Sequence, residues 1–184
     1  MHFTNKKFGG KALRPFTPAF FLRGFCTRVL RTGRVSDWNV AYGGSRGRGN
    51  LNSRKAKGYV RDAFRQNHMD KLIGNYGIGH VRYPTAGGAG KEFAQPMYVN
   101  SPYGISLAHN GNLTNSHELG IQLFHAEMRH LNTDSDSEVL LNIFAHELEK
   151  QREIYPKPEH IFKAVAKTHR RCDGAYAVLA LITG

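Results

Sequence analysis

Four stretches of the 184-residue chain hold residues suited to chemistry: GIGHVRYPTAG (77–87), LAHNGNLTN (107–115), NTDSDSE (132–138) and GAYAV (174–178). Arg82 in the first offers a planar guanidinium fork that matches a carboxylate. Asp136 in the third offers the opposite charge, suited to an ammonium. Asn110 and Gly111 in the second offer a side-chain amide and a backbone N–H, the usual parts of an oxyanion hole. Together they make a site for an amino acid whose side-chain carbonyl is attacked. The set lacks a nucleophile.

Taken singly, each residue has a plainer reading. Asn-Gly is the strongest short hairpin signal, Arg82 on a strand reads as an exposed cross-strand charge, and Asp134 and Asp136 read as helix-capping or first-turn acids. Gly87-Gly88-Ala89-Gly90 reads as a loop, because no Lys-Ser/Thr follows to make it a phosphate cradle. His80 and His109 read as packed or hydrogen-bonded core groups with no metal-ligand spacing between them. Glu138 and Glu147 read as helix-surface or capping acids.

Elements that could position these residues begin near residue 51. NYGIGHVRYP (75–84) alternates as a strand, with Tyr76, Ile78 and His80 on one face. MYVN and ISLAH flank SPYG, so 97–109 reads as a hairpin. A helix follows from Ser116 with Leu119, Leu123, Phe124 and Met128 facing inward, weakened by Gly120. A second starts at Ser135-Asp136-Ser137-Glu138, where Ser and Glu three apart form a capping box, and carries Val139, Leu140, Ile143, Phe144 and Leu148 as a wide apolar stripe. A third spans about 159–169, and AYAVLALI (175–182) reads as a buried strand. Strands, then helices, then a strand favour an α+β fold.

The net charge of +12 is unevenly placed. Residues 1–57 hold 13 Lys or Arg and one acid, Asp37, whereas residues 58–184 hold 13 basic and 13 acidic residues. The basic excess therefore belongs to a Gly/Arg-rich first segment, residues 1–50, and the remainder is an ordinary neutral globular sequence. No run approaches the roughly 20 apolar residues that span a bilayer, so no membrane partner is expected. Cys26 and Cys172 form neither a disulfide framework nor a metal motif, which makes a reducing, cytoplasmic setting the default.

Residues 51–184 resemble the glutaminase domain of the amidophosphoribosyltransferase family, class II glutamine amidotransferases with an N-terminal nucleophile. GIGHVRYPTAG, AQPMYVNSPYGISLAHNGNLTN, LNTDSDSEVLLNIFAHEL and GAYAV carry the resemblance. It implies a four-layer αββα sandwich, truncated here at both ends, in which an N-terminal cysteine attacks the glutamine side-chain amide and its own α-amino group serves as base. It assigns Arg82, helped by Thr85, to the glutamine α-carboxylate, Asp136 to the α-ammonium, and Asn110 with the Gly111 N–H to the oxyanion. Ammonia would pass to a phosphoribosyltransferase domain, absent from this sequence, and displace pyrophosphate from phosphoribosyl pyrophosphate. Mg²⁺ is expected in that domain and no cofactor in this chain. An iron–sulfur cluster in full-length relatives is left open, and those relatives are expected to form homo-oligomers.

The sequence departs from this pattern at its start. Counting back from Arg82 places the nucleophile beside Gly9-Gly10, where there is no cysteine, and Cys26 comes some fifteen residues too late. Three readings of residues 1–50 follow: a reading-frame error upstream of a genuine domain, a targeting leader, or a basic nucleic-acid-binding tail. This chain alone is expected to be inactive as an enzyme. The rival expectation is a non-catalytic glutamine-binding fragment with a basic tail.

Overall fold

The computed structural model describes residues 2–6, 19–23, 42–44, 51–56, 60–72, 76–81 and 91–183. Eight strands fall in these segments: β1 (His2–Lys6), β2 (Ala19–Arg23), β3 (Tyr42–Gly44), β4 (Asn52–Ser53), β5 (Tyr76–His80), β6 (Met97–Val99), β7 (Gly104–Leu113) and β8 (Gly174–Thr183). They form two four-stranded sheets, ordered β1-β8-β7-β6 and β2-β5-β3-β4. Both sheets take strands from either side of residue 50, where the sequence changes composition.

The predicted hairpin forms. β6 pairs antiparallel with β7, with Met97 opposite Leu107 and Val99 opposite Ile105. β7 then runs on well past the predicted end at His109. Its ladder with β8 is unbroken from the Gly104–Thr183 pair to the Leu113–Gly174 pair, so Asn110-Gly111 lies within a strand and is not a turn.

Five α-helices are described: α1 (Val60–Ala63), α2 (Gln66–Met69), α3 (Ser116–His125), α4 (Asp136–Glu149) and α5 (Pro158–Arg171). α4 packs on β6 and β7 and is flanked by α3 and α5, while β2 and β5 face β7 and β8 from the other side. The result is helices, sheet, sheet: three consecutive layers of the expected αββα order.

The main core lies between α4 and the β7–β8 pair, where Ile105, Leu107, Leu123, Leu140, Ile143, Phe144 and Val178 are all buried. The predicted stripe on α4 is buried throughout, and so are Leu141 and Ala145 on its flanks. A helix covered on a sheet side and two helix sides has little solvent face left, so its sequence reads apolar nearly all round.

Three expectations need correction. Phe124 and Met128 face outward, at 58% and 91% exposure, while Leu119 and Leu123 are buried. α3 ends at His125, so Met128, with φ of 53°, no longer follows the helical period. No capping box forms at Ser135. Its side chain accepts the Ser137 N–H, while the buried Glu138 carboxylate turns back to accept the N–H groups of Asn132 and Thr133, the Asn132 amide and the Thr133 hydroxyl. Glu147 is likewise buried rather than on the surface. It pairs with Lys150 at 3.0 Å and with Arg171 at 3.0 Å, joining α4 to the end of α5.

Candidate functional site

The site is organised by the second half of β7. Successive side chains on a strand leave opposite faces, and here the two faces serve different neighbours. His109 points toward α4 and Asn110 toward the facing sheet.

On the helix side, a polar cluster sits within the apolar core. The His109 backbone N–H donates to Gln95 Oε1 at 2.6 Å, and Gln95 Nε2 donates to Ser137 Oγ at 2.9 Å. The His109 ring Nδ1 lies 2.9 Å from the same hydroxyl. His109 and Ser137 are 3% and 2% exposed. Burial pushes the His109 imidazole below its ordinary pKa, opposed by the nearby Asp136 carboxylate. The ring is thus neutral at physiological pH.

Asp136 stands at the first residue of α4, where the helix dipole favours a carboxylate. Its Oδ2 accepts the Leu113 backbone N–H at 3.1 Å, two residues beyond Gly111. Its Oδ1 lies 3.7 Å from His109 Nδ1 and 3.4 Å from the Ser137 hydroxyl. A sequence separation of 23 residues is closed by one carboxylate reaching from a helix start to a strand.

On the other face, Asn110 Oδ1 is 2.8 Å from His80 Nε2. His80 is the last residue of β5 and is 2% exposed. An amide oxygen only accepts, so the imidazole Nε2 carries the hydrogen and donates it.

Gly111 adopts φ of +135°, and a Cβ there would stand 2.3 Å from the Ala175 carbonyl oxygen and 2.6 Å from Tyr176 Cα. Gly174 repeats this on the neighbouring strand, with φ of +139° and a virtual Cβ 2.1 Å from the Asn112 carbonyl oxygen. Two glycines with positive φ thus let β7 and β8 approach closely beside Asn110, a geometry no L side chain permits.

The structure therefore brings Asp136 to the strand that carries Asn110 and Gly111. Arg82 and Thr85 lie outside the described residues, as do Gly87-Gly88-Ala89-Gly90 and Cys26. Cys172 is fully buried at the end of α5, and burial pushes its thiol up to about 12. That thiol does not ionise near neutral pH, so Cys172 is no nucleophile. Sequence reasoning missed Gln95 and Ser137. It took the two histidines as core groups, which they are, without their partners. Among the described residues no group of three or more His, Cys, Asp or Glu could hold a metal ion.

Comparison with known proteins identifies the family. A family model described as a glutamine amidotransferase domain matches residues 88–181, a span that includes Asn110, Gly111 and Asp136. The chain is similar to the amidophosphoribosyltransferases of Pseudomonas aeruginosa and Escherichia coli, each 60% identical over 131 residues, covering 71% of this chain and 26% of the relative. The Saccharomyces cerevisiae enzyme of the same name is 50% identical over 145 residues, covering 79% of this chain and 28% of the relative.

Among solved structures, one described as the allosteric regulatory enzyme of purine biosynthesis superposes with a TM-score of 0.64 at 30% identity, over 80% of this chain and 30% of that one. The glutamine phosphoribosylpyrophosphate amidotransferase of B. subtilis gives 0.61 at 27% identity, with the same coverage. The chain thus spans about a quarter of the length of the curated relatives it matches. The α+β fold is that of the N-terminal-nucleophile amidotransferases.

Proposed function

Because the chain belongs to the glutamine amidotransferase domain family, we propose that it is the glutamine-handling part of an amidophosphoribosyltransferase. The observation that carries this reading is the docking of the α4 start on β7, where Asp136 meets the strand of Asn110 and Gly111. In this scheme Asp136 holds the glutamine α-ammonium, and Arg82 with Thr85 holds the α-carboxylate. The Asn110 carboxamide and the Gly111 N–H receive the negative charge that forms on the side-chain oxygen under attack. Such donors act on charge present only in the transition state, and losing one costs on the order of 10²–10³ in rate.

The ammonia released would be consumed by displacement of pyrophosphate from phosphoribosyl pyrophosphate in a transferase domain, as part of purine biosynthesis. Mg²⁺ belongs to that domain in this reading, and no step here is routed through it. Whether an iron–sulfur cluster accompanies the full enzyme is a property of that remainder too. A homo-oligomer and a cytoplasmic setting complete the proposal. Among the described residues no helix is long and apolar enough to cross a membrane.

Burial of Cys172 favours a second, narrower reading, in which this chain binds glutamine without turning it over. Calorimetry with L-glutamine, a glutamate-release assay and mass spectrometry of the mature N-terminus separate the two. Binding with glutamate release supports the enzyme. Binding without release supports the narrower reading, and no binding overturns both.

A further inference from the structure

We propose that His80 is a positioning residue that fixes which end of the Asn110 carboxamide faces the developing oxyanion. The proposal rests on the oxyanion role given to Asn110 above. A primary amide has two ends of nearly equal size, and half a turn about its terminal bond exchanges the acceptor Oδ1 for the donor Nδ2. The Nδ2 end alone stabilises negative charge. The asparagine itself has no preference between the two, so its surroundings decide.

In this fold those surroundings include the imidazole of His80, 2.8 Å from Oδ1 and itself buried. With Nε2 carrying a hydrogen, the reversed amide would set an N–H against the N–H of a buried imidazole. A buried donor facing a donor loses its hydrogen bond without a replacement, which disfavours that orientation. The donor end of Asn110 is therefore held away from β5. The arrangement survives protonation of the ring, because imidazolium also donates from Nε2. His80 stands 30 positions before Asn110 and two before Arg82. In the proposed scheme one strand both orients the oxyanion donor and leads into the carboxylate holder.

Two independent measurements test this. The first needs no variant: long-range proton–nitrogen NMR of the His80 ring in the full chain at pH 8. The Nε2–H tautomer is expected. An Nδ1–H tautomer would leave a bare Nε2 facing the carboxamide, so that the amide Nδ2 rather than Oδ1 points to β5, and would overturn the proposal.

The second compares calorimetric affinities for L-glutamine and for L-methionine sulfone, whose side chain ends in a tetrahedral sulfur bearing two oxygens. The variants are His80→Phe, His80→Gln and Asn110→Ala, each checked for folding by circular dichroism. His80→Phe should weaken the sulfone about ten-fold more than it weakens glutamine, the scale of one buried hydrogen bond. His80→Gln, which keeps an N–H donor, should recover most of that loss, and His80→Phe combined with Asn110→Ala should be no worse than Asn110→Ala alone. If Asn110→Ala weakens the sulfone and folded His80→Phe does not, the His80 proposal fails while the oxyanion role stands. If Asn110→Ala has no effect, or the unaltered chain binds neither probe, the underlying reading of the site fails instead.

Discussion

Asp136 Oδ2 accepts the backbone N–H of Leu113 at 3.1 Å, which pins the first turn of α4 to β7 beside the Asn110-Gly111 pair. The aspartate therefore has two separable tasks: a hydrogen bond that any side-chain oxygen can accept, and a charge that only a carboxylate supplies.

Replacing Asp136 by Asn separates these tasks. An asparagine oxygen can still accept from Leu113, so the melting temperature should change little. Affinity for L-glutamine should fall about ten-fold or more, since hydrogen bonds to charged groups contribute about 1.5–3 kcal/mol. Calorimetry beside a thermal melt reads both. Unchanged affinity in the folded variant would remove Asp136 from the ammonium site.

Gly111→Ala should destabilise the fold. The new Cβ would meet the Ala175 carbonyl oxygen at 2.3 Å while the backbone stays at φ of +135°. Strained backbone of this kind costs on the order of 1–3 kcal/mol before any steric clash is added. Chemical denaturation measures the drop, and Gly174→Ala should behave similarly because its clash is also with backbone.

Glu147 carries a pH-dependent part of the stability. Burial alone would raise its pKa, but hydrogen bonds from Lys150 and Arg171 outweigh that and hold it below the ordinary glutamate range. A depressed carboxylate pKa stabilises the fold above the unfolded-state value and loses that contribution as pH falls through the folded value. Glu147→Gln should therefore lower the denaturation midpoint at pH 7. It should also flatten the loss of stability below about pH 4.3, the usual glutamate range.

Histidines set a second acid-sensitive window. Burial lowers the pKa of His109, His146 and His169. The unfolded chain therefore binds more protons than the folded one below about pH 6.5, the ordinary histidine value. Stability is full above that pH and should decline from about 6.5 downward. Denaturant titrations at neutral and mildly acidic pH should show the decline, and His109→Gln should reduce it.

Cys172 should resist thiol reagents. With no exposed surface and a thiol pushed up to about 12, it should remain unlabelled by iodoacetamide at pH 8 in the folded chain. In denaturant it should react fully. Peptide mapping by mass spectrometry distinguishes it from Cys26.

Much of this was legible in the sequence where a single period governed a segment. The apolar stripe of α4 formed as read, the 97–109 hairpin formed with β7 running on past His109, and AYAVLALI became β8 with half of its residues only partly covered. The failures came where a neighbour distant in sequence decides. Nothing near Glu147 announces that Arg171, 24 residues on, will close over it, so a mid-helix acid read as solvated. The capping-box pattern at Ser135 was real, but Glu138 found four donors in the 132–133 segment, more than a reciprocal cap offers. Met128 kept the apolar period in sequence after the helix had ended, and Phe124, still within α3, faces outward. The site was half legible: Asn110, Gly111 and Asp136 could be named from their chemistry, whereas Gln95 and Ser137 have no local signature.

The unbroken pairing of β7 with β8 also limits how this protein can change. Asn100 and Ser101 at the hairpin tip are exposed, so many residue types fit there. Adding or deleting one residue in that tip is another matter. If β7 shifted by one position, every side chain on it would exchange faces. The imidazole that belongs under α4 would then be driven between the sheets, and the carboxamide would be driven under α4. Tolerance to spelling and intolerance to length thus coexist within four residues, so single-codon insertions and deletions should be far more damaging there than any substitution.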